Sequence, residues 1–398
     1  MKTQFLNLKT IIVFFIIMVV VSNVFAQQYQ VGHIQKTFID QARANRSIPV
    51  EIYYPAFVAG NNVSVATGQF PVIVFGHGFS MSWSAYQYFW DSIVPYGYIV
   101  AQPTTEGSFS PSHTDFAKDM AFVIGSMKTE GQNSSSDFFG AVASTSALMG
   151  HSMGGGCAFL AQQYDTAVTV ISTLAGAVTT PSSVTAAQSI NKPTLIFAGA
   201  NDCVAPPAQH QLPMYDSLAS LCKTYVSITG ASHCQFADVN TICYFGEGTC
   251  TPQATITEAT QQNQVVSLLL PWLNFYLKTD CQSAGTFQNT LSASSGILFQ
   301  QNCTLNCTTT NVYNYYNQHD VVVFPNPFSD EATIFVEKEL SNSTVLIKDI
   351  FGKEVFKTNM GFKTELKIDR KAISSGMYVL QIIQNEKPVV AKKIVIVD

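Results

Sequence analysis

A serine between two glycines is the residue of this sequence best suited by type and spacing to act as a nucleophile. Ser152 is the centre of residues 150–154 (GHSMG), which follow the apolar, strand-like run 146–149 (SALM). Where a strand turns sharply into a helix at a G-x-S-x-G sequence, the serine takes a strained backbone conformation and the glycines let chain segments approach. Its hydroxyl then stands at the helix N-terminus, where the helix dipole favours developing negative charge. The spacing therefore predicts nucleophilic attack by Ser152.

A serine hydroxyl is a weak nucleophile, and it needs a base that is itself oriented by a carboxylate. Asp202 lies 50 residues after Ser152, and His233 lies a further 31 residues along the chain. Both follow strand-like runs, 194–198 (TLIFA) and 225–228 (YVSI), and Ser–Asp–His is one of the chain orders in which such triads occur. We predict that His233 is the general base and that Asp202 orients it.

The other acidic residues and histidines suit these roles less well. Asp165 and Asp216 fall in or near helix-like segments, and Asp238 is too close in sequence to the predicted base to come from another strand end. His113 lies in a polar loop, and His210 follows two prolines near a helix-like segment. We expect each of these residues at the solvated surface.

Acyl transfer also needs two backbone N–H groups that stabilise the negative oxygen of the tetrahedral intermediate. One is expected at Met153, immediately after the nucleophile, and the other at Phe79, in the loop 77–80 (HGFS) that follows an upstream strand-like run. The ring of Phe79 is also expected to line the substrate pocket, together with the nearby loop aromatics Trp83 and Tyr86.

Strand-like and helix-like runs alternate across residues 27–305, as expected for βαβ units around a mostly parallel sheet. Each strand-like run ends where a polar or reactive residue appears, and ligands of open α/β sheets bind at the carboxyl ends of the strands. The pattern predicts an α/β fold with a doubly wound, mostly parallel sheet that presents the reactive residues at one edge.

The first 26 residues have the pattern of a secretory signal peptide. Lys2 and Lys9 precede an apolar run at 11–21, and residues 24–26 (VFA) are typical of a cleavage site. The apolar run is shorter than the roughly 20 residues that a membrane-spanning helix needs. We therefore expect residues 1–26 to direct export.

A rise in charge density marks a second boundary. Residues 27–320 contain 24 charged residues in 294 positions, whereas residues 321–398 contain 21 in 78. A polar, weakly patterned linker is predicted at 306–320, after a catalytic domain at 27–305. Alternating apolar residues and spaced glycines in 321–398 predict a small antiparallel β-sandwich.

Composition argues against several classes of function. The net charge of −5 argues against a nucleic-acid partner, and a hydrophobic content of 47% argues against general disorder. No C-x-x-C pair has the spacing of a zinc site, so no metal is expected. The predicted triad needs no organic cofactor, and none is expected.

The nine cysteines of an exported chain are expected to pair, and their odd number leaves at least one free or linked between chains. Cys157 lies in an apolar run that is predicted to be a buried helix, and it is the candidate for the free thiol.

Two cysteines directly follow predicted triad residues. We hypothesise a bridge between Cys203 and Cys234 that ties the acid and base loops together, with Cys203–Cys222 as an alternative. Cys243 and Cys250 flank two glycines and are predicted to close a small loop. The sequence assigns no partner to three further cysteines: Cys281, Cys303 and Cys307.

Residues 31 to about 280 resemble the α/β-hydrolase superfamily, in its cutinase-like, chlorophyllase-like and dienelactone-hydrolase-like branch. The run 48–56 (IPVEIYYPA) is similar to the early strand of platelet-activating-factor acetylhydrolases, and 150–156 (GHSMGGG) closely resembles the elbow of bacterial cutinases and polyester hydrolases. Residues 194–206 and 230–233 (GASH) resemble the acid and base segments of the same enzymes. The resemblance implies a serine carboxylester hydrolase with the triad Ser152, Asp202 and His233.

One departure from these relatives concerns the substrate. Polyester-degrading members usually carry a tryptophan after the strand that follows the elbow helix, where it clamps an aromatic ring, but residues 172–178 (STLAGAV) contain none. The resemblance therefore implies a small-molecule, lipid or polymer ester as the substrate. Polyester hydrolysis and lipase or phospholipid acetylhydrolase activity are alternatives to a simple esterase, and a non-catalytic exported binding protein is the remote one.

About 75 residues at the C-terminus resemble the sorting domain of type IX secretion cargo. Residues 323–328 (VFPNPF) are similar to its YPNP opening, and the runs 350–355 (IFGKEV), 375–380 (SGMYVL) and 392–396 (KKIVI) resemble its later motifs. The resemblance implies that the type IX secretion machinery is a partner and that the protein is secreted or exposed at the cell surface. A carbohydrate-binding or adhesive β-module is the alternative.

Overall fold

The computed structural model describes residues 29–307, 321–336, 342–349, 351–361, 363–370, 373–384 and 387–398. The chain divides into two compact units, of which the first ends at Asn306 and the second begins at Cys307. The predicted signal peptide lies outside the described residues, as does the predicted linker from residue 308 onward.

Strands and helices alternate along the first unit. Its strands are β1 (Gln30–Asp40), β2 (Arg46–Ala56), β3 (Gly60–Asn61), β4 (Phe70–Gly76), β5 (Ile99–Pro103), β6 (Val142–His151), β7 (Val170–Leu174), β8 (Thr194–Gly199), β9 (Lys223–Ile228) and β10 (Ile297–Gln301). Its helices are α1 (Gln87–Ile93), α2 (His113–Gln132), α3 (Met153–Ala161), α4 (Ser183–Ala187), α5 (Gln211–Ser217), α6 (Thr241–Glu247), α7 (Glu258–Lys278) and α8 (Cys281–Ala293). Within the described parts of the chain, no helix has the length and hydropathy needed to cross a bilayer.

The ten strands form one sheet in the order β10-β9-β8-β7-β6-β4-β5-β2-β1-β3. Neighbouring strands from β5 to β9 in this order are parallel. Antiparallel strands flank this centre, with β2 and β1 on one side and β10 on the other. The predicted α/β fold with a mostly parallel sheet is confirmed.

The central strands are apolar along their length because helices cover both faces of the sheet. Every residue of β4, β7 and β8 is buried. On one face α2 and α3 contribute Phe116, Met120 and Phe159 to an apolar core, and on the other α1 and α7 contribute Phe89 and Trp272 to a second core. The sheet is therefore a rigid frame for the loops at its edge.

A buried carboxylate ties the turn between β1 and β2 to helix α2. The fully buried Asp119 accepts hydrogen bonds from Arg43 Nη2 (2.6 Å), Arg46 Nη2 (2.7 Å) and Thr105 Oγ1 (2.6 Å). Each arginine also contacts a second carboxylate. Because a buried charge is tolerated only when it is paired and hydrogen-bonded, this aspartate and its donors depend on one another.

The described residues of the second unit form only strands. They are β11 (Val321–Phe324), β12 (Glu331–Val336), β13 (Ser343–Asp349), β14 (Glu354–Gly361), β15 (Glu365–Asp369), β16 (Gly376–Gln384) and β17 (Lys387–Ile396). They make two antiparallel sheets, β11-β12-β15 and β14-β13-β16-β17. Ile334, Ile347 and Leu380 belong to an apolar core of this unit. The predicted small all-β domain at the C-terminus is confirmed.

We predict that Asp119→Asn lowers the free energy of unfolding of the first unit by about 3 kcal/mol, because it leaves two partly buried arginines without their shared charge. Unfolding in urea followed by tryptophan fluorescence measures this, since all three tryptophans lie in the first unit. Asp137→Asn is the matched control, because that side chain is 65% exposed and lies 3.8 Å from Lys36 Nζ. The control should change stability by less than about 0.5 kcal/mol, and equal effects of the two variants would contradict the assignment.

Candidate active site

Three loops at one edge of the sheet carry the residues predicted to form the triad. Ser152 follows β6, Asp202 follows β8 and His233 follows β9. Strands β6, β7, β8 and β9 are consecutive and parallel, so their carboxyl ends lie at the same edge. This edge is where open α/β sheets bind their ligands.

Ser152 has the strained conformation expected of a nucleophile elbow. Its backbone has φ 54° and ψ −119°, a region that residues other than glycine rarely adopt. The turn requires glycine nearby because a Cβ at Gly154 would lie 2.1 Å from the carbonyl oxygen of Gly76, and one at Gly150 would lie 2.4 Å from the backbone of Gly154. The close approach of β4 to α3 therefore depends on the absence of side chains around Ser152.

His233 and Asp202 form a buried hydrogen-bonded pair. Nδ1 of His233 lies 2.7 Å from Oδ2 of Asp202, and both side chains are almost fully enclosed. The second carboxylate oxygen, Oδ1, accepts from the backbone N–H groups of Val204 (2.9 Å) and Ala205 (2.7 Å). The carboxylate is thus fixed from both sides, and it favours the tautomer with a proton on Nδ1, which leaves Nε2 of His233 free to accept a proton.

The base loop contacts the elbow through the residue before the serine. The rings of His151 and His233 lie 4.8 Å apart, and Nε2 of His151 donates to the carbonyl oxygen of His233 at 3.2 Å. Among the hydrogen bonds of the described residues, none joins the hydroxyl of Ser152 to the His233 ring. Such a bond is often long in a ligand-free enzyme and shortens in the complex with substrate.

The loop after β4 presents a free backbone N–H where the oxyanion site is predicted. The N–H of Gly78 is already bonded to the hydroxyl of Tyr86 at 2.8 Å. The N–H groups of Phe79 and Met153 donate to no acceptor among the described residues. The ring of Phe79 is 44% exposed and lies 6.2 Å from that of Phe109, which is 79% exposed. These two rings form an exposed aromatic pair.

The structure corrects the role predicted for Tyr86. This side chain is fully buried, and its hydroxyl accepts from Gly78 N–H and lies 3.0 Å from Nδ1 of His151. It therefore joins the loop after β4 to the elbow and presents no surface to a substrate. Trp83 is partly buried, and its ring packs against His33 and Tyr53, in β1 and β2.

The disulfides differ from those predicted around the triad. Cys203 is bonded to Cys250, and Cys234 is bonded to Cys243. The hypothesised Cys203–Cys234 bridge, its alternative Cys203–Cys222 and the small loop closed by Cys243 and Cys250 are all wrong. The acid and base loops are linked instead through the segment that contains α6, which follows both loops in sequence and is bonded to each of them.

The remaining cysteines follow the expected count. Cys222 is bonded to Cys303, and Cys281 and Cys307 are each disulfide-bonded. Cys157 is a buried free thiol, as predicted.

Sequence reasoning missed three residues that shape this edge: His151, Phe109 and Glu247. His151 is fully buried between the elbow and the base loop. Its position inside the G-x-S-x-G motif is the one sequence signal that could have identified it as part of the site. Phe109 lies in a polar loop, and Glu247 lies in a short segment between two cysteines, where no periodic pattern indicates burial. Among the described residues, no cluster of His, Cys, Asp and Glu has the arrangement of a metal site.

Two family models match this chain. One described as PET hydrolase-like matches residues 47–246, which is half of the chain and includes all three predicted triad residues. The other, described as a secretion system C-terminal sorting domain, matches residues 322–397. A search of curated proteins finds no match.

Two buried histidines make stability depend on pH. Burial lowers the pKa of His77, and burial together with the neighbouring His233 holds the pKa of His151 well below the usual 6.5. The unfolded chain therefore gains protons on these rings below about pH 6.5 before the folded chain does. The contribution of these two neutral rings to the free energy of unfolding is therefore complete above that pH. It is lost progressively as the pH is lowered.

The variant His151→Gln isolates one of these groups, because glutamine can accept from Tyr86 and donate to His233 without titrating. We predict that its stability falls less steeply between pH 6.5 and 5 than that of the wild type, by up to about 1.4 kcal/mol per pH unit. Urea unfolding at a series of pH values measures both slopes, and equal slopes would show that His151 is not held neutral.

Proposed function

The chain belongs to the PET hydrolase-like family, and we propose that it cleaves carboxylic esters through a Ser152–His233–Asp202 triad and an acyl-enzyme intermediate. Family membership makes it a hydrolase that acts on esters. The C-terminal sorting domain makes it a cargo of type IX secretion, which delivers it to the cell surface or the medium. The domain boundaries proposed for this function are a signal peptide at 1–26, a catalytic domain at 27–305, a linker at 306–320 and a sorting domain at 321–398.

The buried hydrogen bond between Asp202 and His233 is the observation that carries the proposal. A surface histidine paired with a carboxylate is common, but this pair is enclosed and lies against the residue that precedes a serine in strained geometry. Burial strengthens the interaction between the carboxylate and an imidazolium that forms during catalysis.

In the proposed first step, Oγ of Ser152 bonds to the ester carbonyl carbon while Nε2 of His233 takes the hydroxyl proton. Asp202 stabilises the imidazolium through Nδ1. The carbonyl oxygen becomes an oxyanion that accepts hydrogen bonds from the N–H groups of Phe79 and Met153. The bond to the alcohol oxygen then breaks, and the imidazolium gives its proton to the leaving alcohol, which leaves an acyl group on Ser152.

In the proposed second step, His233 takes a proton from water as the water oxygen attacks the acyl carbon. A second tetrahedral intermediate forms in the same oxyanion site. It collapses with release of the carboxylic acid, and the proton returns to Oγ of Ser152. The free enzyme is regenerated without a cofactor.

An aromatic polyester is the second candidate substrate, because an exposed aromatic pair adjoins the proposed oxyanion site. Phe79 contributes one N–H to that site, and its ring meets the exposed ring of Phe109. Ser80 fixes the two loops to each other by donating to the carbonyl oxygen of Ser108 at 3.1 Å. Aromatic rings in this arrangement can pack against the repeating units of a polymer chain.

We predict that Ser152→Ala lowers kcat for p-nitrophenyl butyrate by about 10⁴-fold or more and that Asp202→Asn lowers it by about 10⁴-fold. Circular dichroism should show an unchanged fold. Ser135→Ala, at an exposed position at the opposite edge of the sheet, is the control and should keep wild-type activity. Turnover by Ser152→Ala within tenfold of the wild type would refute the nucleophile.

We also predict that Phe109→Ser lowers release of soluble products from an aromatic polyester film by about tenfold, a loss of roughly 1.4 kcal/mol of binding to the polymer. Hydrolysis of p-nitrophenyl acetate should fall much less, because that ester is too small to span both rings. Phe139→Ser is the matched control, since Phe139 is 58% exposed in the loop before β6, at the other edge of the sheet. Equal losses on film and small ester would contradict this role.

A further inference from the structure

One short segment is attached to both loops that carry the proposed acid and base. We call residues 240–250 the clasp; it contains α6 and ends at Cys250. Cys250 is bonded to Cys203, the residue after Asp202, and Cys243 is bonded to Cys234, the residue after His233. The clasp therefore reaches both partners of the Asp202–His233 hydrogen bond through covalent links one residue away from each.

The clasp also places a buried carboxylate on the backbone of the base. Glu247 is only 5% exposed, and its Oε1 accepts from the N–H of His233 at 2.7 Å and from the N–H of Cys234 at 3.2 Å. Among the described residues, no lysine, arginine or histidine side chain forms an ion pair with it. Two main-chain N–H groups of the histidine loop are thus the hydrogen-bond partners of the Glu247 carboxylate, and the 2.7 Å bond from His233 has the length typical of a strong N–H donor to a carboxylate.

Helix α7 also supports the base loop. The fully buried side chain of Gln261 accepts from the N–H of Ser232 at 3.0 Å and donates to the carbonyl oxygen of Ser232 at 2.9 Å. Three consecutive N–H groups, at 232–234, are therefore held by side chains from α6 and α7. Among the described residues no backbone acceptor bonds to these three N–H groups, so the two side chains are the hydrogen-bond partners of the main chain that carries the His233 ring.

We infer that Glu247 is a positioning residue for the proposed reaction: its carboxylate holds the main chain of His233 so that the ring keeps its contact with Asp202 and faces Ser152. This inference rests on the proposed function. The disulfides limit how far the clasp can move. Glu247 fixes the position of the base loop relative to the clasp, because it binds the main chain of His233 directly. A displacement of the base by about 1 Å is enough to cost on the order of 100-fold in rate.

Three variants of Glu247 separate positioning from a general effect on stability. Glu247→Gln keeps an oxygen that can accept from both N–H groups, Glu247→Asp keeps the charge but withdraws it by one methylene group, and Glu247→Ala removes the acceptor. We expect Glu247→Gln to retain kcat within threefold. We expect Glu247→Asp and Glu247→Ala to lower kcat by about 10- to 100-fold with KM changed less than twofold, at temperatures where circular dichroism shows each variant folded.

The matched control is Glu258→Gln, because Glu258 accepts from the hydroxyl of Tyr244 in the clasp at 3.0 Å, and among the described residues no hydrogen bond or ion pair joins its side chain to residues 230–234. It should leave kcat unchanged. Wild-type kcat in Glu247→Ala, or an equal loss of kcat in Glu247→Gln and Glu247→Ala, would overturn the inference.

A fluorophosphonate probe distinguishes failure of this inference from failure of the proposed function. The probe forms a covalent bond with an activated serine, and mass spectrometry identifies the labelled residue. Labelling of Ser152 in the wild type, slowed at least tenfold in Glu247→Ala but not in Glu247→Gln, supports the positioning role. Equal labelling rates in all three proteins overturn the positioning role alone, whereas no labelling of Ser152 in the wild type refutes the nucleophile itself.

Discussion

The approach of strand β4 to the start of helix α3 is the constraint on which the rest of the site depends. A Cβ at Gly154 would lie 2.1 Å from the carbonyl oxygen of Gly76, so the two segments meet only because glycine is present. Between them Ser152 adopts φ 54°, which costs of order 1–3 kcal/mol and persists only where the surroundings enforce it. The buried sheet and two apolar cores supply that enforcement, and a reactive hydroxyl at the strand end is the result.

The loops around this turn are held by polar side chains and disulfides because their backbones leave the sheet. Tyr86 links the N–H of Gly78 to His151, and His151 donates to the carbonyl oxygen of His233. Glu247 then binds the N–H of the same residue. The proposed oxyanion loop, elbow and base thus share one chain of buried hydrogen bonds. A substitution that breaks one of these bonds is therefore expected to weaken the others.

The fold class was predictable because it depends on local pattern. Apolar runs that end in polar residues are typical of buried parallel strands. The glycines around Ser152 indicate a tight turn, and this indication does not depend on contacts with distant residues. Disulfide pairing was not predictable in this way, because Cys203 and Cys234 find their partners in a segment that follows both. The sequence does not distinguish an aromatic loop residue that contacts substrate from one like Tyr86, whose hydroxyl is buried against a histidine.

The central claim is that Ser152 carries the acyl group during turnover. Acid quenching of the enzyme during hydrolysis of a p-nitrophenyl ester, followed by digestion and mass spectrometry, tests this most directly. The account predicts an added acyl mass on the peptide that contains Ser152, which disappears after the substrate is consumed. Turnover without an acyl adduct, or with the adduct on another residue, would contradict it.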